Sequence, residues 1–119
     1  MQIEATFDVT RWDEKPIVEW EGGKLTRASV SATYSGGLAG SSVVEYLMSY
    51  ASDGSVAYVG MERVDGDAGG LVLRHIGTFA NGAAASELTV VGGSGDFEGA
   101  AGTGRMVADP GGRLTLDLA

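Results

Sequence analysis

Val43–Val64, read as VVEYLMSYASDGSVAYVGMERV, is the stretch that decides the fold. Two runs rich in β-branched and aromatic residues flank Asp53-Gly54, a dipeptide suited to a type I′ hairpin turn, which needs positive φ at both central positions. Counting outward from a two-residue turn sets Tyr50 opposite Ala57, Met48 opposite Val59, Tyr46 opposite Met61 and Glu45 opposite Glu62. Opposed residues share a face of the sheet, with Cβ atoms roughly 4.5–5.5 Å apart. Two carboxylates are thereby expected side by side in the strongest hairpin of the chain.

The flanking segments extend the pattern. Ile3, Ala5, Phe7 and Val9 alternate with polar residues over 2–10, as in a half-buried strand. Residues 11–23 hold Pro16 and two tryptophans and read as an ordered loop anchored across the body by Trp12 and Trp20. A second strand over 25–35 points Ala28, Val30, Ala32 and Tyr34 to the core, and a Gly36-Gly37 turn would set Val30 against Val43 and Ala28 against Glu45. After the glycine-rich DGDAGG, an even-numbered loop places Leu71, Leu73, His75, Gly77 and Phe79 on the face of Glu62. Asn81-Gly82 is another type I′ signal and pairs Phe79 with Ala84, His75 with Leu88 and Leu73 with Val90. Parity carried across these turns points Glu45, Glu62 and His75 inward. A seventh strand near 102–108, a Pro110-Gly111 turn and an eighth strand with Leu114, Leu116 and Leu118 complete the chain. Arg105 faces inward if that turn holds two residues; a different count puts Met106 inside instead.

Eight consecutive antiparallel strands with short turns predict an all-β, eight-stranded antiparallel up-and-down β-barrel, whose closure leaves no exposed edge. Such an interior is just wide enough for side chains or one small ligand.

Composition narrows the partners. The 119 residues make one domain, 44% hydrophobic and 20% charged, as in a globular protein. A net charge of −8 argues against nucleic acid, whose phosphates it would repel. No apolar run approaches the roughly 18 residues of a membrane-spanning helix. The start lacks a signal-peptide pattern, so a cytoplasmic location is expected. There is no cysteine and a single histidine, so no metal or other cofactor is expected. Gly92-Gly93-Ser94-Gly95 is no phosphate loop, because no Lys-Ser/Thr follows it.

The chemistry is expected at Glu45, Glu62 and His75. Burial raises a carboxyl's pKa, and two adjacent carboxyls split, one ionised and one protonated. Such a pair with an imidazole beside it takes and returns protons, as a cyclase or isomerase requires. Three readings stay open: a ligand or catalytic site, a satisfied polar network in the core, or a solvated pair if inside and outside are exchanged. Tyr34, Tyr58, Leu73, Phe79 and Leu88 are expected to line the interior. On the opposite face Tyr46, Met48, Tyr50, Val59 and Met61 form an apolar patch, covered by the Trp12–Trp20 loop or by a second subunit in a homo-oligomer. Glu62→Gln is expected to relieve the carboxylate repulsion and leave the fold intact or stabilised.

The segments Trp12-Asp13-Glu14, Lys24-Leu25-Thr26-Arg27-Ala28, Glu45-Tyr46-Leu47, Tyr58-Val59-Gly60-Met61-Glu62 and His75-Ile76-Gly77-Thr78-Phe79 together resemble the small bacterial proteins grouped as DUF3224. The run Gly92-Gly93-Ser94-Gly95-Asp96-Phe97-Glu98-Gly99-Ala100 is similar to the glycine-rich corner of plant allene oxide cyclases and, more loosely, dirigent proteins. That second resemblance implies an allene-oxide-cyclase-like (calycin-like) barrel with a hydrophobic cavity and a tendency to oligomerise. Neither resemblance implies a reaction, because fold does not fix function. The function expected is binding of a small apolar or amphipathic molecule inside the barrel. The alternatives are a cyclase or isomerase using the glutamates and histidine, and an inert barrel acting as a protein-interaction module.

Overall fold

The computed structural model describes residues 1–119 as eight antiparallel strands: β1 (Gln2–Trp20), β2 (Gly23–Gly36), β3 (Gly40–Tyr50), β4 (Val56–Gly66), β5 (Gly69–Ala80), β6 (Ala83–Gly95), β7 (Gly102–Asp109) and β8 (Gly111–Leu118). Each strand pairs with the next, and β8 returns to pair with β1. No helix is long and apolar enough to cross a membrane.

The expected edge-free cylinder is corrected by the pairing of β1. Its contact with β8 runs only from Gln2 opposite Asp117 to Phe7 opposite Gly112. From residue 8 to 20, β1 continues along β2 alone, past irregularities at Val9/Arg11 and Pro16/Val18, and its other edge is open. The predicted loop over 11–23 is therefore mostly strand. Pro16 is accommodated because an edge strand leaves one row of N–H groups without ladder partners. The two shifts, Pro16 and the neighbouring charges are features that disfavour regular pairing along an open edge.

The turns explain which faces point inward. Asn81 and Gly82 have φ of 55° and 79°, the positive pair a two-residue type I′ turn requires, and Phe79 meets Ala84 and His75 meets Leu88 as the sequence indicates. Asp53-Gly54 behaves differently. Only Gly54 has positive φ, at 86°. The Asp53 carboxylate accepts from the Ser55 amide at 2.9 Å and from its hydroxyl at 2.6 Å, and the Gly54 amide donates to the Ala51 carbonyl at 3.0 Å. That is a turn closed by a left-handed glycine, one residue longer than a type I′ loop. It sets Tyr50 opposite Val56 and Glu45 opposite Met61.

The β2–β3 connection is also shifted by one. Gly36 stays in β2 opposite Ala5, Leu38 folds into the core, and Val30 meets Val44. The two offsets cancel, so β2, β4, β5 and β6 present the expected faces and β3 alone is turned over. Between β7 and β8, Asp109 lies opposite Gly111, which brings Met106 into the core and leaves Arg105 outside.

The interior is filled at one end and hollow at the other. Leu38, Leu71, Leu73, Leu88, Leu114 and Leu116 pack at the end carrying the chain termini, each 3% exposed or less. Ala28, Val30, Val44, Tyr46, Met48, Val56 and Tyr58 form a second cluster toward the end that carries the Asp53-Gly54 and Asn81-Gly82 turns.

Candidate functional site

A line of polar side chains crosses the interior between these two clusters. Glu62 on β4 and His75 on β5 are 3% and 1% exposed, and Glu62 Oε1 lies 2.8 Å from His75 Nε2. Tyr34 on β2 donates its hydroxyl to Glu62 Oε2 at 2.9 Å. His75 Nδ1 lies 3.1 Å from Ser86 Oγ on β6, and Ser86 Oγ lies 2.5 Å from the Tyr58 hydroxyl on β4. A buried polar atom left unpaired costs about 1–3 kcal/mol, so a chain in which every atom has a partner is the form that a dry interior tolerates. Burial and the neighbouring Glu62 charge hold the Tyr34 phenol far above its ordinary pKa, which keeps it a donor.

Glycines make room for this line. Tyr46 lies opposite Gly60, and Tyr58 lies opposite Gly77. A Cβ at Gly60 would come within 2.5 Å of the Tyr46 ring, and one at Gly77 within 2.7 Å of the Tyr58 hydroxyl. Each ring thus lies across the bare backbone of the next strand. The Tyr46 ring meets Tyr58 edge-on at 5.1 Å and His75 edge-on at 5.4 Å between centroids.

Above the polar line is a cavity of about 320 Å³, whose wall is mostly apolar and includes Phe7, Val30, Ala32, Val44 and Met48. Tyr34, Tyr46, Tyr58, Glu62 and His75 line it as well. Its mouth lies between Val9 and Trp12 on the open stretch of β1 and Phe79, Gly82 and Pro110 on the turns opposite. Val9, Trp12 and Phe79 are 51%, 49% and 40% exposed, an apolar rim. The opening exists because β1 parts from β8 after Phe7.

Trp12 is held at that rim by Glu14. Glu14 accepts from Trp12 Nε1 at 3.0 Å, from the buried Thr26 hydroxyl at 2.6 Å and from the Tyr50 hydroxyl. Burial alone would raise the Glu14 carboxyl, but the bonds from Thr26, Tyr50 and Trp12 and the Lys24 charge outweigh it and hold the pKa below its ordinary value. Burial, with the Glu14 contact, pushes the Tyr50 phenol up to about 12. A carboxyl with a depressed folded pKa contributes stability above its unfolded pKa and loses it as pH falls through the folded value. Wild-type stability is therefore expected to fall in acid more steeply than that of Glu14→Gln, in urea titrations run from pH 7 down to pH 3. Parallel acid limbs would show that Glu14 is not a clamp.

The positions expected from sequence divide cleanly. Glu62, His75, Tyr34 and Tyr58 meet at the cavity, and Phe79 stands at its mouth. Leu73 and Leu88 face inward but lie in the solid leucine core, not on the cavity wall. Glu45 is a correction. It sits on the outer surface, bonded to Arg27 at 2.7 Å, because β3 is turned over. The expected Glu45–Glu62 pair does not form. The expected outer patch is corrected for the same reason: Tyr46 and Met48 point inward, Tyr50 is half-buried against Glu14, and only Val59 and Met61 of that set are exposed. The sequence reading missed Ser86, although the Asn81-Gly82 register already placed it inward opposite Gly77. It also missed the Glu14 clamp, which joins residues of β1, β2 and β3 that a loop reading had separated.

A family model described as a protein of unknown function (DUF3224) matches residues 3–119. Among solved structures, a protein of unknown function from the DUF3224 family of Shewanella oneidensis, determined at 1.84 Å resolution, superposes with a TM-score of 0.78 at 26% identity. The match covers 100% of this chain and 96% of that one. No curated protein matches the chain. Family model and solved structure agree on one relationship, which replaces the expected allene-oxide-cyclase-like, calycin-like assignment drawn from a single glycine-rich corner. The chain belongs to the DUF3224 family.

Proposed function

We propose that this protein binds a small, largely apolar molecule in the interior cavity, with the polar end of that molecule against the Glu62–His75 line. The observation that carries this reading is the hollow itself. Protein interiors are close-packed, and an apolar space of about 320 Å³ is within the range of ligand pockets. Filling it with side chains would stabilise the fold, so its persistence beside a fully hydrogen-bonded polar line favours an occupant. A second reading, proton transfer by a cyclase or isomerase, draws on the same Glu62–His75 contact, since a carboxylate and an imidazole 2.8 Å apart pass a proton readily.

Ala32 lies on the cavity wall and is 5% exposed. Ala32→Leu adds three carbons into the hollow. The neutral fluorophore N-phenyl-1-naphthylamine is expected to bind the wild type and to bind Ala32→Leu at least about tenfold more weakly, with no loss of thermal stability. Equal affinity for both proteins would move binding away from the cavity and end this proposal.

A further inference from the structure

The hydrogen inventory of the polar line specifies the head group of the occupant. Four contacts join Tyr58, Ser86, His75, Glu62 and Tyr34 in sequence. Tyr34 donates to Glu62 Oε2, and with the His75 hydrogen assigned to Nε2 the carboxyl accepts at Oε1 as well. His75 Nδ1 then accepts from Ser86, and Ser86 accepts from Tyr58. Each contact uses one hydrogen and none is left over. In this arrangement the line offers a ligand no donor, while the carboxylate retains free lone pairs.

Tyr46 supplies what is missing. Its side chain lines the cavity and is 9% exposed, and its hydroxyl has no hydrogen-bond partner in the chain. The ring stands edge-on to His75 at 5.4 Å, which places it beside the Glu62–His75 contact. The nearby Glu62 charge, after burial, is among the causes that raise the Tyr46 phenol above its ordinary pKa, so it stays a donor. Ser42 Oγ is the one fully buried polar side-chain atom without a partner, so the Tyr46 hydroxyl is an unpaired donor that is still accessible.

We propose that the cavity selects neutral aromatic or alicyclic alcohols and phenols, whose hydroxyl accepts from Tyr46 and donates to the Glu62 carboxylate. This rests on the binding reading above. A hydroxyl is the smallest group that satisfies both partners with one atom. A carboxylate head would set a second anion beside the Glu62 carboxyl at the base of a mostly apolar cavity. A hydrocarbon would leave Tyr46 unpaired. Phe7, Trp12, Tyr34, Tyr58 and Phe79 supply ring faces and edges for a flat body.

Three probes of one shape test this: 2-naphthol, naphthalene and 2-naphthoate, titrated into the full chain by calorimetry. The single histidine makes the imidazole nitrogen signals of His75 an unambiguous second readout in NMR. The expected result is that 2-naphthol binds about tenfold tighter than either other probe and shifts the His75 signals, the preference that one well-made hydrogen bond provides. Tyr46→Phe is expected to bring 2-naphthol to within about threefold of naphthalene, and a thermal melt of the variant reports that it is folded. Equal binding of 2-naphthol and naphthalene to the wild type would overturn the head-group assignment and leave the cavity reading standing. Tightest binding of 2-naphthoate, or 2-naphthol binding with the His75 signals unmoved, would overturn it too. No binding of any probe would remove the cavity reading itself, and this inference with it.

Discussion

Glu62→Leu is expected to destabilise the protein by about 3 kcal/mol, although leucine matches the size of glutamate and is more apolar. The loss comes from the partners. Tyr34 and His75 each give a hydrogen to this carboxylate, at 2.9 and 2.8 Å, and neither has a solvent-facing alternative. Two stranded donors at about 1–3 kcal/mol each outweigh the gain from burying extra carbon. Glu62→Gln is expected to cost only about 1 kcal/mol, because the amide oxygen still accepts from His75. This corrects the expectation that glutamine would relieve a repulsion, since Glu45 is on the other side of the sheet beside Arg27. Urea unfolding of both variants and of Tyr34→Phe/Glu62→Leu checks the account, the double variant recovering part of the loss because one stranded donor is gone. A Glu62→Leu protein as stable as the wild type would mean that the polar line is not what holds this part of the interior together.

Gly77→Ala is expected to cost about 3 kcal/mol, the upper part of the range for overpacking, and to lower the unfolding midpoint by roughly 10 °C. Alanine in a strand interior ordinarily helps, and Gly77 has no positive φ to protect. Space is the reason for the sign. A methyl there would sit 2.3 Å from the Ala85 carbonyl oxygen, which belongs to the paired backbone of β6, and 2.7 Å from the Tyr58 ring and hydroxyl. Displacing the ring takes the Tyr58 hydroxyl from Ser86, the residue that in turn contacts His75 Nδ1. Tyr58→Leu added to Gly77→Ala separates the two contacts. Recovery of most of the stability would place the clash at the ring, and no recovery would place it at the β6 backbone. A Gly77→Ala protein with an unchanged midpoint and unchanged His75 signals would contradict the close approach altogether.

How far the sequence reaches is visible in the two Xaa-Gly turns. At Asn81-Gly82 the dipeptide alone sets the register, because asparagine adopts positive φ at little cost and nothing beside it competes. At Asp53-Gly54 the same kind of signal misleads by one residue. The aspartate carboxylate captures the Ser55 amide and hydroxyl, which holds Asp53 at negative φ and lengthens the loop. One residue suffices to exchange the faces of a strand, since successive side chains point to opposite sides. That slip, with the matching one between β2 and β3, sent Glu45 inward and Tyr46 and Met48 outward, and so hid Tyr46 as a residue of the cavity wall.

The sequence by itself determined the all-β class, the consecutive antiparallel order, the inward faces of β2, β4, β5 and β6, and the meeting of Glu62 with His75. These follow from alternation and short turns, which are local and strong. Tertiary structure alone decided where β1 leaves β8, which opens the mouth; which way β3 faces, which removes Glu45 and brings in Tyr46; and where the leucines stop and the hollow begins. Each of these depends on how strands far apart in the chain fit around a shared interior, a matter of volume and hydrogen-bond closure that no local pattern encodes.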